Sequence, residues 1–188
     1  EMGVLIWEES LGWGNGQHSP MAKEELSDPG FIEAQIMQTK AMVETSFNHP
    51  SVIIFAYLNE FASQTEAGKA LSDKLVKTIK EEDSGRLVSF ACCSVKDDIS
   101  SASVDVVSFN IYPGWIGSNA GEPENLRKII FDAVEETTTR FRNLYPDKPI
   151  IVSEMGTCGV YGQRDPAAAQ WTEDFEAEYD GDVIDAVF

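Results

Sequence analysis

Short apolar runs alternate with amphipathic segments along this chain, and the runs end in polar residues. The longest covers residues 52–58 and reads Val-Ile-Ile-Phe-Ala-Tyr-Leu. It is rich in β-branched and aromatic side chains, follows Pro50, and predicts a strand buried on both faces. Asn59 and Glu60 follow at once. The pattern recurs in Pro149-Ile150-Ile151-Val152-Ser153, which predicts a second buried strand and ends in Glu154. Further strands are predicted over 4–7, a short buried one where Glu8 and Glu9 follow, over 87–91, and over 104–111. The segment after the first strand carries Gly12, Gly14, Gly16 and Pro20 and reads as a loop. Its glycines are weak evidence for a phosphate site, because no helix of dinucleotide-binding type follows directly. Trp13, in the same loop, fits a sugar-stacking platform and a packed anchor equally well.

Helical spacing separates these strands. Phe31, Ile32, Ile36, Met37, Val43 and Phe47 predict a helix over 31–47, with Asp28 as N-cap and Pro29 in the first turn. Leu71, Leu75, Val76 and Ile79 predict another over 65–80. A third spans 124–144. The last segment, 167–188, begins helically with an interruption expected near Gly181. Residues 96–103 are polar and give no helix signal, and 155–165 form a loop. Strand and helix in strict alternation imply a parallel sheet with right-handed crossovers. No repeat, linker or low-complexity stretch divides the chain, so residues 1–188 read as one domain.

Functional polar residues at several strand ends, Glu8, Glu60, Asn110, Tyr112 and Glu154, favour an α/β barrel over an open doubly wound sheet. A whole (β/α)8 barrel takes typically about 250 residues. Five strands in 188 residues therefore predict a partial TIM barrel.

Composition narrows the function classes. The 188 residues are 43% hydrophobic and carry a formal net charge of −18. Such acidity argues against nucleic acid, whose phosphates need Lys and Arg, and fits a self-repelling, soluble surface. No run of about 18 apolar residues suggests a membrane span, and the opening Glu1-Met2-Gly3 suggests no secretory signal. Cys92, Cys93 and Cys158 lack the spacing of a disulfide framework or zinc site and read as small buried hydrophobes. His18 and His49 have no readable partner, and His49 reads as structural.

Two strands that each end in a glutamate suit a two-carboxylate hydrolase. The residues around them resemble glycoside hydrolase family 2, the family of β-galactosidases, β-glucuronidases and β-mannosidases. Asn48-His49-Pro50-Ser51 through Asn59-Glu60 resembles its acid/base strand. Asp105-Val106-Val107-Ser108-Phe109-Asn110-Ile111-Tyr112-Pro113-Gly114-Trp115 resembles a later strand, nearest the β-glucuronidase form. Residues 148–156 resemble its nucleophile strand, 3–9 its third strand, and 165–179 the helix after the nucleophile. The matches fall in family order along the whole chain.

The resemblance implies barrel strands three to seven of eight. It leaves two ways to complete the barrel: the remainder of a longer chain, or association with another copy. It implies a retaining exo-acting β-glycosidase with Glu60 as acid and then base, and Glu154 as nucleophile. Glu60 must begin protonated and Glu154 ionised. Asn59 would bind the sugar 2-hydroxyl, Tyr112 would hold the nucleophile, and Trp115 would wall the pocket. Glu8 or Glu9 would bind a sugar hydroxyl, and Asn110 would fix the loop. No metal or cofactor is implied, and the expected partner is a carbohydrate. The alternative is a non-catalytic carbohydrate-binding or assembly module.

Overall fold

In the computed structural model, residues 3–17, 24–115 and 125–188 are described; His18 and Pro20 and the expected start of the third helix at Glu124 lie outside them. Five strands and four α-helices alternate: β1 (Ile6–Glu9), α1 (Pro29–Ser46), β2 (Val52–Ala56), α2 (Glu66–Glu82), β3 (Leu87–Ser89), β4 (Val107–Asn110), α3 (Leu126–Leu144), β5 (Ile150–Glu154) and α4 (Glu173–Val187). The chain groups into two compact units. The first comprises Glu1–Phe109 with Tyr145–Ile151, and the second comprises Asn110–Leu144 with Val152–Phe188.

The first unit is built on β2. This strand pairs in parallel with β1 on one side and β3 on the other. Beyond β3, a parallel bridge joins Cys92 to Phe109, and the Ser89 hydroxyl donates to the Val106 carbonyl at 2.7 Å. Ile54, Phe55, Ala56, Tyr57 and Leu58 are all buried, as the apolar run predicts. Burying one large apolar side chain stabilises a fold by roughly 1.5–3 kcal/mol. Helix α2 covers this strand with Leu71, Leu75 and Ile79, and the Tyr57 hydroxyl meets Ser72 Oγ at 2.6 Å. Thr65 caps α2 by accepting from Gly68 N.

The N-terminal end of β2 is tied by Arg86. Its guanidinium donates to the carbonyls of Val52, Phe47 and His49 and pairs with buried Asp83. Burial works to raise the Asp83 pKa. The N–H groups of Gly85 and Arg86, with the Arg86 charge, outweigh it and hold that carboxyl below its ordinary value. His49 is exposed and lends only backbone groups to this knot.

Three expectations change here. Strand β1 is not buried: Val4, Leu5 and Ile6 are exposed, because among the described residues β1 pairs on one side only. Helix α1 is capped by Asp28, which accepts from Phe31 N, but it buries Gln35, Thr39, Val43 and Ser46 while Met37 and Phe47 stay exposed. Its inner face is small and polar because it answers hydrogen bonds. Thr39 donates to Ser10 and Gln38 to the Leu11 carbonyl. A short 3-10 helix, Ser100–Ala102, forms in the polar stretch that gave no helix signal, organised by buried Asp98 accepting from Ser100 N and Ser101 N.

The second unit packs α3 and α4. Helix α3 buries Ile130, Val134 and Phe141, and α4 buries Phe175, Tyr179 and Val183. Arg127 links them by pairing with Asp182 and Asp185. Helix α4 starts at Glu173, capped by Thr172, rather than near Ala167, and it runs unbroken through Gly181. That glycine is exposed, so its cost is confined to backbone entropy, about 1 kcal/mol. Strand β5 pairs with β4. Ile150 and Val152 are half-buried and Ile151 is exposed, so β5 is not the doubly buried strand expected. Cysteine burial also varies: Cys92 is buried, Cys93 half-buried and Cys158 exposed, all as free thiols.

Candidate active site

Glu60 belongs to the first unit and Glu154 to the second, and each has its own neighbours. After β2 the chain turns sharply. Leu58 and Glu60 both adopt left-handed backbone, with φ of 47° and 54°. Such values are uncommon for residues with a Cβ and cost energy wherever surrounding structure enforces them. The enforcement is visible. Glu60 N donates to the Ala91 carbonyl, Asn59 N to the Gly12 carbonyl, Gly14 N to the Asn59 carbonyl, and Ala62 N to the Asn15 carbonyl. Gly12 sits at φ +146°, and a Cβ there would strike the Leu58 side chain.

The Glu60 side chain is half-buried, and its Oε2 accepts a hydrogen bond from the Trp13 indole at 3.0 Å. Trp13, offered as either platform or anchor, thus holds a carboxylate, while its ring stays 63% exposed. Beneath lies Cys93, to whose sulfur Gln17 donates at 2.9 Å. Ser94 in turn donates to Gln17 at 2.8 Å. Burial raises the Cys93 thiol pKa, and the nearby Glu60 carboxylate raises it further. That combination keeps the thiol protonated and unreactive.

Glu8 does not join this group. In register it pairs with Phe55, whereas Glu9 pairs with Ala56, which pairs with Ser89. Side chains alternate across a strand, so Glu8 faces the helices, where its carboxylate accepts from Ser46 on α1 at 2.7 Å. The assignment of Glu8 to a sugar hydroxyl is therefore corrected. Glu9 lies on the opposite face, accepting from the Trp7 indole at 3.3 Å.

In the second unit, Glu154 ends β5 and is exposed. The Tyr112 hydroxyl donates to its Oε2 at 2.5 Å. The Ile111 N–H donates to the Glu154 carbonyl at 2.9 Å, which sets the two chain segments in step. Asn110 is buried and accepts from Ser153 Oγ at 2.8 Å, tying the residue before Glu154 to the end of β4. The Tyr112-Pro113 turn is pinned from α4, where buried Tyr179 donates its hydroxyl to the Pro113 carbonyl at 2.9 Å. Trp115 meets Trp171 edge-on at 4.7 Å and lies 6.4 Å from Phe175. Sequence reasoning missed Trp171 and Ser153. Trp171 was assigned to a helix turn, yet it stands before the helix with φ of 77°. Among the described residues, no three His, Cys, Asp or Glu converge on a metal position.

The comparisons with known proteins can now be set beside this geometry. The model of the glycosyl hydrolases family 2 TIM barrel domain matches residues 3–186. The chain belongs to that family. Its fold is accordingly that of a TIM barrel domain in part, with five of the strands present among the described residues. It is 29% identical to a β-glucuronidase of Streptococcus agalactiae, over 95% of this chain and 31% of that protein. It is 28% identical to human β-glucuronidase, over 93% of this chain and 25% of the relative. The crystal structure of a family 2 β-galacturonidase from Eisenbergiella tayi bound to galacturonate superposes with a TM-score of 0.82 at 31% identity, covering 98% of this chain and 31% of that one. The chain thus spans about a third or less of the length of these family 2 relatives.

Proposed function

We propose that the polypeptide carrying this sequence is a retaining exo-β-glycosidase that removes terminal β-linked sugars. β-Glucuronides are the favoured substrates, and β-galactosides or β-galacturonides come next. Membership of family 2 and the relatives' β-glucuronidase and β-galacturonidase activities support this class. The observation that carries the reading is the Tyr112 hydroxyl on Glu154 Oε2. A phenol O–H donated to a carboxylate oxygen is a strong, charge-assisted contact that orients the carboxylate.

In the first step Glu60 transfers its proton to the glycosidic oxygen. The bond from that oxygen to the anomeric carbon breaks with the electron pair leaving on oxygen, and Glu154 forms an ester to the anomeric carbon. Glu154 is then neutral. In the second step Glu60 takes a proton from water, the water oxygen attacks the anomeric carbon, and the ester bond returns its pair to Glu154. Asn59 binds the 2-hydroxyl, a contact that tightens in the transition state. Trp115 supports the sugar's C–H face.

Aryl β-glycosides with graded leaving groups test the roles. Glu154→Ala abolishes turnover for every leaving group. Glu60→Ala loses about 10²–10⁴-fold for poor leaving groups and far less for activated ones. Equal loss across the series in Glu60→Ala counts against the acid assignment. Sugar binding without turnover in the unsubstituted protein would identify a non-catalytic carbohydrate-binding module instead.

A further inference from the structure

We infer that Trp13 is a positioning residue for Glu60, and that its indole N–H biases which carboxyl oxygen carries the transferable proton. The inference rests on the acid/base role proposed for Glu60 and extends it. The indole donates to Oε2 at 3.0 Å. An indole nitrogen can donate and cannot accept. The carbonyl oxygen of a protonated carboxyl is a better acceptor than its hydroxyl oxygen, so this contact favours Oε2 as the carbonyl oxygen and the proton on Oε1. As that proton leaves for the glycosidic oxygen, charge grows on the carboxylate, and a hydrogen bond to an ionised acceptor is roughly twice as strong as one to a neutral acceptor. Trp13 therefore supports the carboxylate that the first proton transfer creates.

The backbone around Trp13 is arranged for this contact. Trp13 lies opposite Asn59 in an isolated parallel bridge. On either side, the Gly12 carbonyl accepts from Asn59 N and Gly14 N donates to the Asn59 carbonyl. One strand-end loop thus grips the residue before Glu60 by two backbone bonds and Glu60 itself by one side chain. Trp13 is 63% exposed, so burial alone does not account for the placement.

The test compares wild type with Trp13→Phe in the complete polypeptide that carries this sequence. The readout is kcat/KM against leaving group. Loss should be on the order of tenfold for poor leaving groups and under about threefold for activated ones, following the expected behaviour of an aided general acid. Equal loss across leaving groups, or no loss at all, overturns the inference while leaving the glycosidase reading intact. Absence of turnover in wild type on every glycoside overturns both. Should Trp13→Phe fail to fold, benzothienylalanine at position 13, which replaces only the indole N–H by sulfur, gives the same decision.

Discussion

Two strand ends each present a glutamate, and they are made in different ways. Glu60 follows β2, whose apolar residues are almost entirely buried, and it is placed by main chain. Four backbone hydrogen bonds from residues 12–15 and Ala91 hold positions 59–62, and two residues accept left-handed φ to fit. Glu154 ends β5, a half-exposed strand, in ordinary extended conformation: the Ile111 N–H meets its carbonyl, the Tyr112 hydroxyl its carboxylate, and the Ser153–Asn110 pair lies one residue earlier. Under the proposed mechanism a proton donor has to aim an O–H at a substrate oxygen, and backbone placement suits that task. The proposed nucleophile has to reach the anomeric carbon, and a hydroxyl that orients its carboxylate suits that.

The comparison breaks most forcefully at Gly12. Gly12→Ala forces a Cβ into the Leu58 side chain at a φ of +146°. Strain and overpacking together should cost about 2–5 kcal/mol, read as a lower urea midpoint with an unchanged slope. Retained stability would show that the loop does not set the Glu60 turn. Tyr112→Phe sharpens the other half. Loss of a hydrogen bond to a charged group, worth about 1.5–3 kcal/mol, should lower kcat/KM roughly 10- to 100-fold with little change in melting temperature. A comparable fall in stability would mean that Tyr112 holds the fold more than it holds Glu154.

The strands were legible because burial on both faces leaves a signature that no loop imitates, as in residues 52–58. The same rule misjudged β1 and β5, whose composition is that of buried strands although they lie half-exposed. Composition reports what a segment can bury, not which neighbours this chain supplies. Helix α1 misled for the opposite reason. Its buried Gln35, Thr39 and Ser46 are polar, and hydropathy does not register hydrogen bonds. Among the candidate site residues, Glu60, Glu154 and Tyr112 are proposed from strand ends and family likeness. Glu8 could not be told from Glu9 without the register against β2. Trp13 and Ser153 make directed contacts between segments distant in sequence, and no local spacing encodes those.

The left-handed backbone at Glu60 carries one more consequence. For a residue with a Cβ that conformation costs about 1–2 kcal/mol, and glycine would adopt it without that cost, offset in part by its own chain entropy of roughly 0.5–1 kcal/mol. Both Glu60→Gly and Glu60→Ala lose the Trp13 contact, so the comparison of the two isolates the backbone: Glu60→Gly should melt above Glu60→Ala by about 0.5–1 kcal/mol of stability. Calorimetry on the two variants would decide it, and equal melting points would show that the turn is unstrained. A side chain at position 60 is therefore carried on backbone that glycine would hold at lower conformational cost.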